Sequence, residues 1–287
     1  MPRVSAARPR LNGKPKLGQH FLIDESATQR VVEAMGDISQ RTVLEIGPGR
    51  GALTALLARR ARRVIAVELD RVLSAQLRMN LTAENVEIIE GDILAIDFQT
   101  LFGPKPGSTR PGLDQNPEPV RVVGNIPYFI TSDILLRLWE NRRYFDTFVL
   151  MVQREVADRL AAKPGGSDYG LLSATAQLYG DVRTLFTLPP EAFSPPPKVH
   201  SAVVRFDLAP RVEGLQVPEK AFINFLKLSF GQKRKTLWNN LKEQYEPAVL
   251  REAMTKAGVK ATVRAETLPL EKSAALFKAL TEERKSL

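Results

Sequence analysis

Short apolar, β-branched runs alternate with helically spaced leucines through the first two-thirds of the chain. Val43-Leu44-Glu45-Ile46, Val64-Ile65-Ala66-Val67-Glu68, Val86-Glu87-Ile88-Ile89, Val120-Arg121-Val122-Val123 and Phe148-Val149-Leu150-Met151-Val152 predict strands. Between them, 51–60, 71–79 and 132–139 have helical spacing. Leu53, Leu56 and Leu57 mark the core face of the first helix. Ile134, Leu135, Leu138 and Trp139 mark that of the third, with Thr131 or Ser132 as its N-cap. Such alternation predicts an α/β fold built on an open parallel sheet with helices on both faces, and places ligands beyond the carboxyl ends of the strands.

Two breaks interrupt the pattern. Residues 103–119 hold five prolines and three glycines, which predicts a surface insertion between a helix and a strand. Asp207 to Pro218 holds two prolines and a glycine. After it the spacing is purely helical: Phe222, Phe225, Leu226 and Phe230; Leu237, Trp238 and Leu241; Val249, Leu250 and Met254; Leu276, Phe277 and Leu280. The chain thus divides into an arm over 1–16, an α/β domain over 17–208 and a small all-helical domain over 219–287.

Composition narrows the chemistry. The 287 residues, 44% hydrophobic and 25% charged, suit a globular protein of about two domains. No apolar run is long enough to cross a bilayer. The absence of cysteine excludes disulfides, thiol catalysis and thiolate metal sites, and two histidines, His20 and His200, argue against a histidine-built metal site.

The net charge of +9 is concentrated at the two ends. Residues 1–20 carry Arg3, Arg8, Arg10, Lys14 and Lys16 with no acid, and residues 219–287 carry 14 basic and 8 acidic side chains, which leaves the middle at −2. A near-neutral body with basic ends points to a catalytic body and polyanion-holding ends; the plainer alternative is a solvated surface. Pro2, Pro9 and Pro15 break the amphipathic helix that a transit peptide needs, and no apolar segment follows, so a cytoplasmic protein with a flexible basic arm is expected.

Glu45-Ile46-Gly47-Pro48-Gly49-Arg50-Gly51-Ala52 follows a predicted strand and opens a helix, as a nucleotide-binding glycine loop does. Glu68 ends the next strand, where a carboxylate can accept from both ribose hydroxyls of an adenosine. Asp92 ends the third and can accept from an exocyclic amine. Three acidic strand ends (Glu45, Glu68 and Asp92) and a loop N–H lost to Pro48 suit a sulfonium ligand better than a pyrophosphate.

Gly124-Asn125-Ile126-Pro127-Tyr128-Phe129 follows the fourth strand. An exocyclic adenine amine is a poor nucleophile because its lone pair is delocalised into the ring. Two acceptors for its N–H groups, the Asn125 side-chain oxygen and the Ile126 carbonyl, move the nitrogen toward tetrahedral geometry. Pro127 stiffens the turn, and Tyr128 offers a ring face for stacking a base, worth ~1–3 kcal/mol. A methylated ammonium product loses its proton readily, so no strong general base is required. A base within a duplex must be flipped out to reach such a turn.

In these motifs and their order the chain resembles the small-subunit ribosomal RNA adenine N6-dimethyltransferases, the KsgA/RsmA family. Leu17-Gly18-Gln19-His20-Phe21-Leu22-Ile23-Asp24 is similar to its N-terminal cofactor motif, and Phe193-Ser194-Pro195-Pro196-Pro197-Lys198-Val199-His200-Ser201 to its late segment. The resemblance runs from about residue 16 over nearly the whole chain. It implies a Rossmann-like class I methyltransferase sheet over 17–208 and S-adenosyl-L-methionine as cofactor.

It further implies that His20 and Leu22 contact the donor's methionine end, Gly47 lines the donor pocket, Glu68 holds the ribose and Asp92 the adenine, and Asn125 serves donor and target alike. Phe193 is implied to stack on the flipped adenine opposite Tyr128. Position 20 is often asparagine in the family and is histidine here. The implied reaction is dimethylation of two adjacent adenosines in the 3′-terminal hairpin loop of 16S rRNA, within the small ribosomal subunit or its precursor, by a monomer that uses no metal and no membrane. Lys233, Arg234 and Lys235, together with the basic arm, are the implied phosphate contacts.

Three other readings share some of these features. A large-subunit enzyme of the macrolide-resistance type shares the cofactor motifs and the Asn-x-Pro-Tyr turn. A ribosome-assembly or transcription factor keeps the fold for binding alone. A dinucleotide dehydrogenase accounts for the glycine loop, but leaves 125–128 and both basic ends without a role.

Overall fold

The computed structural model describes residues 19–103 and 118–283. The arm with Arg3, Arg8, Arg10, Lys14 and Lys16, and all but the edges of the 103–119 insertion, lie outside the described residues. The elements run β1 (Phe21–Leu22), α1 (Glu25–Glu33), β2 (Thr42–Ile46), α2 (Ala52–Arg60), β3 (Arg63–Glu68), α3 (Arg71–Asn80), β4 (Val86–Glu90), α4 (Phe98–Phe102), β5 (Val120–Asn125), α5 (Thr131–Glu140) and β6 (Phe145–Gln153). There follow α6 (Arg154–Ala161), α7 (Leu171–Tyr179), β7 (Gly180–Leu188), β8 (Phe193–Ser194), β9 (Ser201–Leu208) and α8 (Val212–Leu215). Then come α9 (Glu219–Ser229), α10 (Leu237–Leu241), α11 (Pro247–Lys256) and α12 (Leu270–Glu283).

Seven strands form one sheet in the order β4-β3-β2-β5-β6-β9-β7. The first five are parallel, but β9 runs antiparallel to β6 and β7 antiparallel to β9, which corrects the all-parallel expectation. Residues 189–200 join β7 to its neighbour β9 without a crossover α-helix, and parallel pairing of the two requires such a crossover. A separate two-stranded sheet joins β1 to β8, with Leu22 opposite Phe193.

Period-two alternation divides the sheet's side chains between two cores. Val43, Val64, Val123, Val149, Met151 and Val203 pack on one face against α1 and α2. Leu44, Ile65, Val122, Phe148, Val204 and Phe206 pack on the other. That second core runs without interruption into Phe222, Phe225, Leu226, Leu250, Met254 and Phe277 of the C-terminal helices. Burial on both faces explains why these strands read as continuous apolar runs rather than as alternating ones.

Local signals set the helix starts. Asp70 caps α3 by accepting from the Val72 and Leu73 amides, and Asp24 caps α1 through the Ala27 amide. The expected cap of α5 is different. Residues 128–130 form a 3₁₀ turn that feeds straight into the helix, so neither Thr131 nor Ser132 is the cap. Thr131 is instead the first helical residue, and its hydroxyl donates to the Pro127 and Tyr128 carbonyls at 3.3 Å.

Strand order reverses between β2 and β5, so a crevice opens beyond their carboxyl ends. The two strands approach closely there. A Cβ on Gly124 would lie 2.6 Å from the Ile46 carbonyl oxygen, its backbone neighbour across the pair. Gly124→Ala is expected to destabilise the fold by about 1–3 kcal/mol, because that contact is with rigid backbone. The measurement is the urea midpoint at unchanged slope; an unmoved midpoint would show that the strands part without cost.

Candidate active site

The crevice is a cleft of two lobes that share Gln19, Gly47, Glu68 and Pro127 as walls. The first lobe is lined by the glycine loop, His20, Leu22, Glu45, Asn125, Ile126, Tyr128 and Met151. The second is mostly apolar (Ile46, Val67, Leu69, Ile93, Phe129, Ile130 and Ile134), with Asp92 at its edge. It has the chemistry of a slot for a flat ring with a polar rim.

The loop after β2 takes its shape from glycine. Gly49 has φ +59°, and a Cβ there would meet the Phe21 ring at 2.8 Å. Phe21 itself sits beneath the Arg50 guanidinium at 4.6 Å, so β1 and the loop clasp each other. Glu68, 4% exposed, locks this arrangement. Its Oε2 accepts from the Gly49 amide and its Oε1 from the Asp70 amide, both at 2.9 Å. A carboxylate has room for about four such bonds, so acceptor capacity remains on the cleft side. Asp92 lies just beyond β4, is exposed, and accepts from the Leu94 amide at 2.9 Å.

Asn125 is the last residue of β5. Its Nδ2 donates to the His20 carbonyl at 2.6 Å, which fixes the amide and turns Oδ1 away from that bond. The Ile126 side chain is buried, and its amide donates to the Met151 carbonyl at 3.1 Å. Tyr128 is half-buried. Its hydroxyl shares a 2.6 Å hydrogen bond with the Ser201 hydroxyl; burial raises its pKa, and the Ser201 bond opposes the rise. The His20 ring lies 5.9 Å from that of Tyr128 at 27°, and its Nδ1 is 2.7 Å from the Pro195 carbonyl oxygen.

The structure therefore brings His20, Leu22, Gly47, Glu68, Asp92, Asn125, Ile126, Pro127 and Tyr128 to one cleft. It does not bring Phe193 there. That ring is 2% exposed and is packed with Leu22, Met151 and Ala192 in the core. It pairs opposite Leu22 and shares that core with it.

Among the basic residues of the C-terminal region, Lys233, Arg234 and Lys235 are all exposed, and the Lys233 Nζ also donates to the Ser167 carbonyl at 2.6 Å. Two further features lacked a readable signal. Phe129 is 67% exposed beside the second lobe, and Ser201 is the partner of Tyr128. Only the adjacency of Phe129 to the Asn-x-Pro-Tyr turn hinted at the first. The pairing of Ser201 with Tyr128 spans 73 residues and depends on the reversed β9.

The cleft fits a cationic adenosine compound on two observations. Glu45 is 1% exposed, lines the first lobe, and neither of its carboxyl oxygens has a hydrogen-bond partner among the described residues. Gly47, which lines both lobes, also leaves room there: a Cβ on it would meet nothing closer than the Asn125 carbonyl oxygen at 3.8 Å. Among the described residues, no group of three or more histidines and acids is placed to hold a metal, and no helix is long and apolar enough to cross a membrane.

Residues 10–282 match the family described as ribosomal RNA adenine dimethylase. The chain is 56% identical to the ribosomal RNA small subunit methyltransferase A of Koribacter versatilis, covering 98% of this chain and 99% of that one. Its counterpart in Acidobacterium capsulatum is 52% identical over 94% of this chain and 92% of that one. Among solved structures, a dimethyladenosine transferase from Plasmodium falciparum aligns with a TM-score of 0.72 at 25% identity, covering 93% of this chain and 98% of that one. The 23S rRNA methyltransferase ErmE aligns at 0.66 with 27% identity, covering 91% and 99%.

Proposed function

The chain belongs to the ribosomal RNA adenine dimethylase family, and from that premise we propose that it dimethylates N6 of two adjacent adenosines in the 3′-terminal hairpin loop of 16S rRNA during small-subunit biogenesis. The methyl donor is S-adenosyl-L-methionine, and the substrate is the small subunit or its precursor. The observation that carries this function is the meeting, in one cleft, of the Glu68 and Asp92 carboxylates with the Asn125–Tyr128 turn.

When bound, the donor supplies an electrophilic methyl carbon on a positively charged sulfur. Glu68 accepts from its ribose hydroxyls, Asp92 from its adenine amine, and the glycine loop with Asn125 lines its amino-acid end. On the target side, Asn125 Oδ1 and the Ile126 carbonyl accept from the two N6–H groups, so that the lone pair points at the methyl carbon. Positioning of this kind supplies much of the rate. The flipped base stacks on Tyr128, and the His20 ring that now covers that face gives way. Tyr128 stays neutral, held by Ser201. Phe193 acts from below, fixing β1 against β8 and thereby His20 and Leu22.

Lys233, Arg234 and Lys235, with the arm residues Arg3, Arg8, Arg10, Lys14 and Lys16, contact rRNA phosphates in a salt-sensitive manner. The proposed unit of action is the monomer. A ribosomal substrate supports a cytoplasmic site of action.

The test incubates the protein with labelled donor and undermethylated small subunits, followed by nucleoside digestion. Labelled N6,N6-dimethyladenosine is expected from the small subunit and none from large subunits incubated in parallel. Label confined to the large subunit would favour the macrolide-resistance type of enzyme. Particle binding without any label would favour a binding factor.

A further inference from the structure

One buried acid stands in the wall of the first lobe. Glu45, the penultimate residue of β2, is 1% exposed, and both its carboxyl oxygens lack a hydrogen-bond partner among the described residues. Buried polar groups in native proteins are nearly always partnered. A buried carboxyl left in this state is neutral unless a positive charge comes to it.

The groups around Glu45 supply no such charge. On the neighbouring β3 the facing group is Glu68, a like charge. On α2 they are the Thr54 hydroxyl and amide, which lie close enough to lower the Glu45 pKa but outside strict hydrogen-bonding geometry. Across the lobe stand His20 and Tyr128, stacked on each other, and Arg50, drawn onto the Phe21 ring. Burial above all, with repulsion from Glu68 added, pushes the Glu45 pKa up to about 8, although Thr54 tempers the rise.

We infer that Glu45 is a proton-linked reader of positive charge in the donor cleft: it holds a proton while no cation is bound and releases that proton to solvent when the methyl donor binds. The inference rests on the proposed function, since it takes the donor to be S-adenosylmethionine, whose sulfonium and ammonium are both cationic. The step balances simply. The neutral acid and the cationic ligand become a carboxylate paired with the ligand's positive charge. The Glu45 O–H bond is the one bond broken, and its proton passes to the buffer.

Calorimetric titration of the full chain with S-adenosylmethionine, in two buffers of different ionisation heat, reads this directly. At about pH 7 the apparent enthalpies are expected to differ by an amount corresponding to nearly one proton released per donor, with affinity rising close to tenfold per pH unit between about pH 6 and 7. Glu45→Gln, which has the shape of the neutral acid, is expected to lose both the buffer dependence and that slope. His20 is present in both proteins, so the difference between them isolates Glu45.

Glu45→Gln is also expected to melt with the wild type at low pH and above it in alkali. As pH rises from the ordinary carboxylate range to about 8, the unfolded wild type ionises this carboxyl while the folded protein keeps its proton, so stability is lost across that window and the variant is spared the loss. If the variant does not fold, the same titration of His20→Asn, which keeps Glu45 and removes the imidazole of the lobe, decides the matter: undiminished proton release supports Glu45 as its source, and loss of release overturns the inference. The demethylated product keeps the ammonium and lacks the sulfonium. Proton release with both ligands assigns Glu45 to the ammonium, and release with the donor alone assigns it to the sulfonium. Donor binding with equal heats in both buffers, or unchanged release in Glu45→Gln, overturns the inference and leaves the proposed function standing. Absence of donor binding by the wild type overturns both.

Discussion

Asn125→Ala is expected to cut methyl transfer by about 10²–10³-fold, the usual cost of removing one preorganised polar group at a reacting centre. Particle affinity should move by less than about threefold, because phosphate contacts elsewhere dominate it. Two functions leave with this side chain. Oδ1 no longer accepts from the target amine, and Nδ2 no longer holds the His20 carbonyl at 2.6 Å. Asn125→Asp separates them: it keeps an acceptor for the amine but sets a carboxylate against the His20 carbonyl, so its activity should lie between wild type and Asn125→Ala. Single-turnover methyl incorporation and filter binding on the same particles measure the two quantities. An equal loss of turnover and binding in Asn125→Ala would contradict the assigned role.

Glu68→Ala is expected to weaken donor binding by about 10²-fold or more and to lower thermal stability as well. The carboxylate is nearly buried and serves the Gly49 and Asp70 amides at 2.9 Å each. Its removal orphans both donors, at about 1–3 kcal/mol for each, and takes away the acceptor for the ribose hydroxyls. Glu68→Gln retains one acceptor oxygen but turns an NH₂ toward a backbone N–H, so an intermediate loss is expected. Calorimetry and thermal denaturation, run on both variants, report the two effects separately. Undiminished donor affinity in the alanine variant would assign the ribose to another residue.

The strands, the glycine loop and the strand-end acids were legible in the sequence because each has a local cause. Apolar β-branched runs make buried strands, and the chain must turn tightly where Gly47 and Gly49 stand. The rest depends on contacts between distant segments. The reversal of β9 and β7 follows from how residues 189–200 return to the sheet, and no periodicity encodes that path. Phe193 looks like a free stacking ring in a proline-rich segment, yet β1 pairs with β8 and turns it inward. Glu45 is visible as an acid at a strand end. Its lack of partners is a property of the β2–β3–α2 packing around it, which a linear pattern does not contain. The start of α5 differs from the expected cap for a local reason of another kind: the 3₁₀ turn at 128–130 provides the helix entry that a capping hydroxyl would otherwise provide.

The core face carrying Leu44, Phe148 and Phe206 runs straight into that of the C-terminal helices, with α7 packed against both α9 and α12 and the Tyr179 hydroxyl donating to Glu219 at 2.7 Å. A truncated polypeptide ending at 208 would uncover that side of α7 to water and present a sticky face to its own copies. The C-terminal helices are therefore no detachable module to be trimmed from a recombinant product, and a frameshift in their gene segment would remove the enzyme by aggregation.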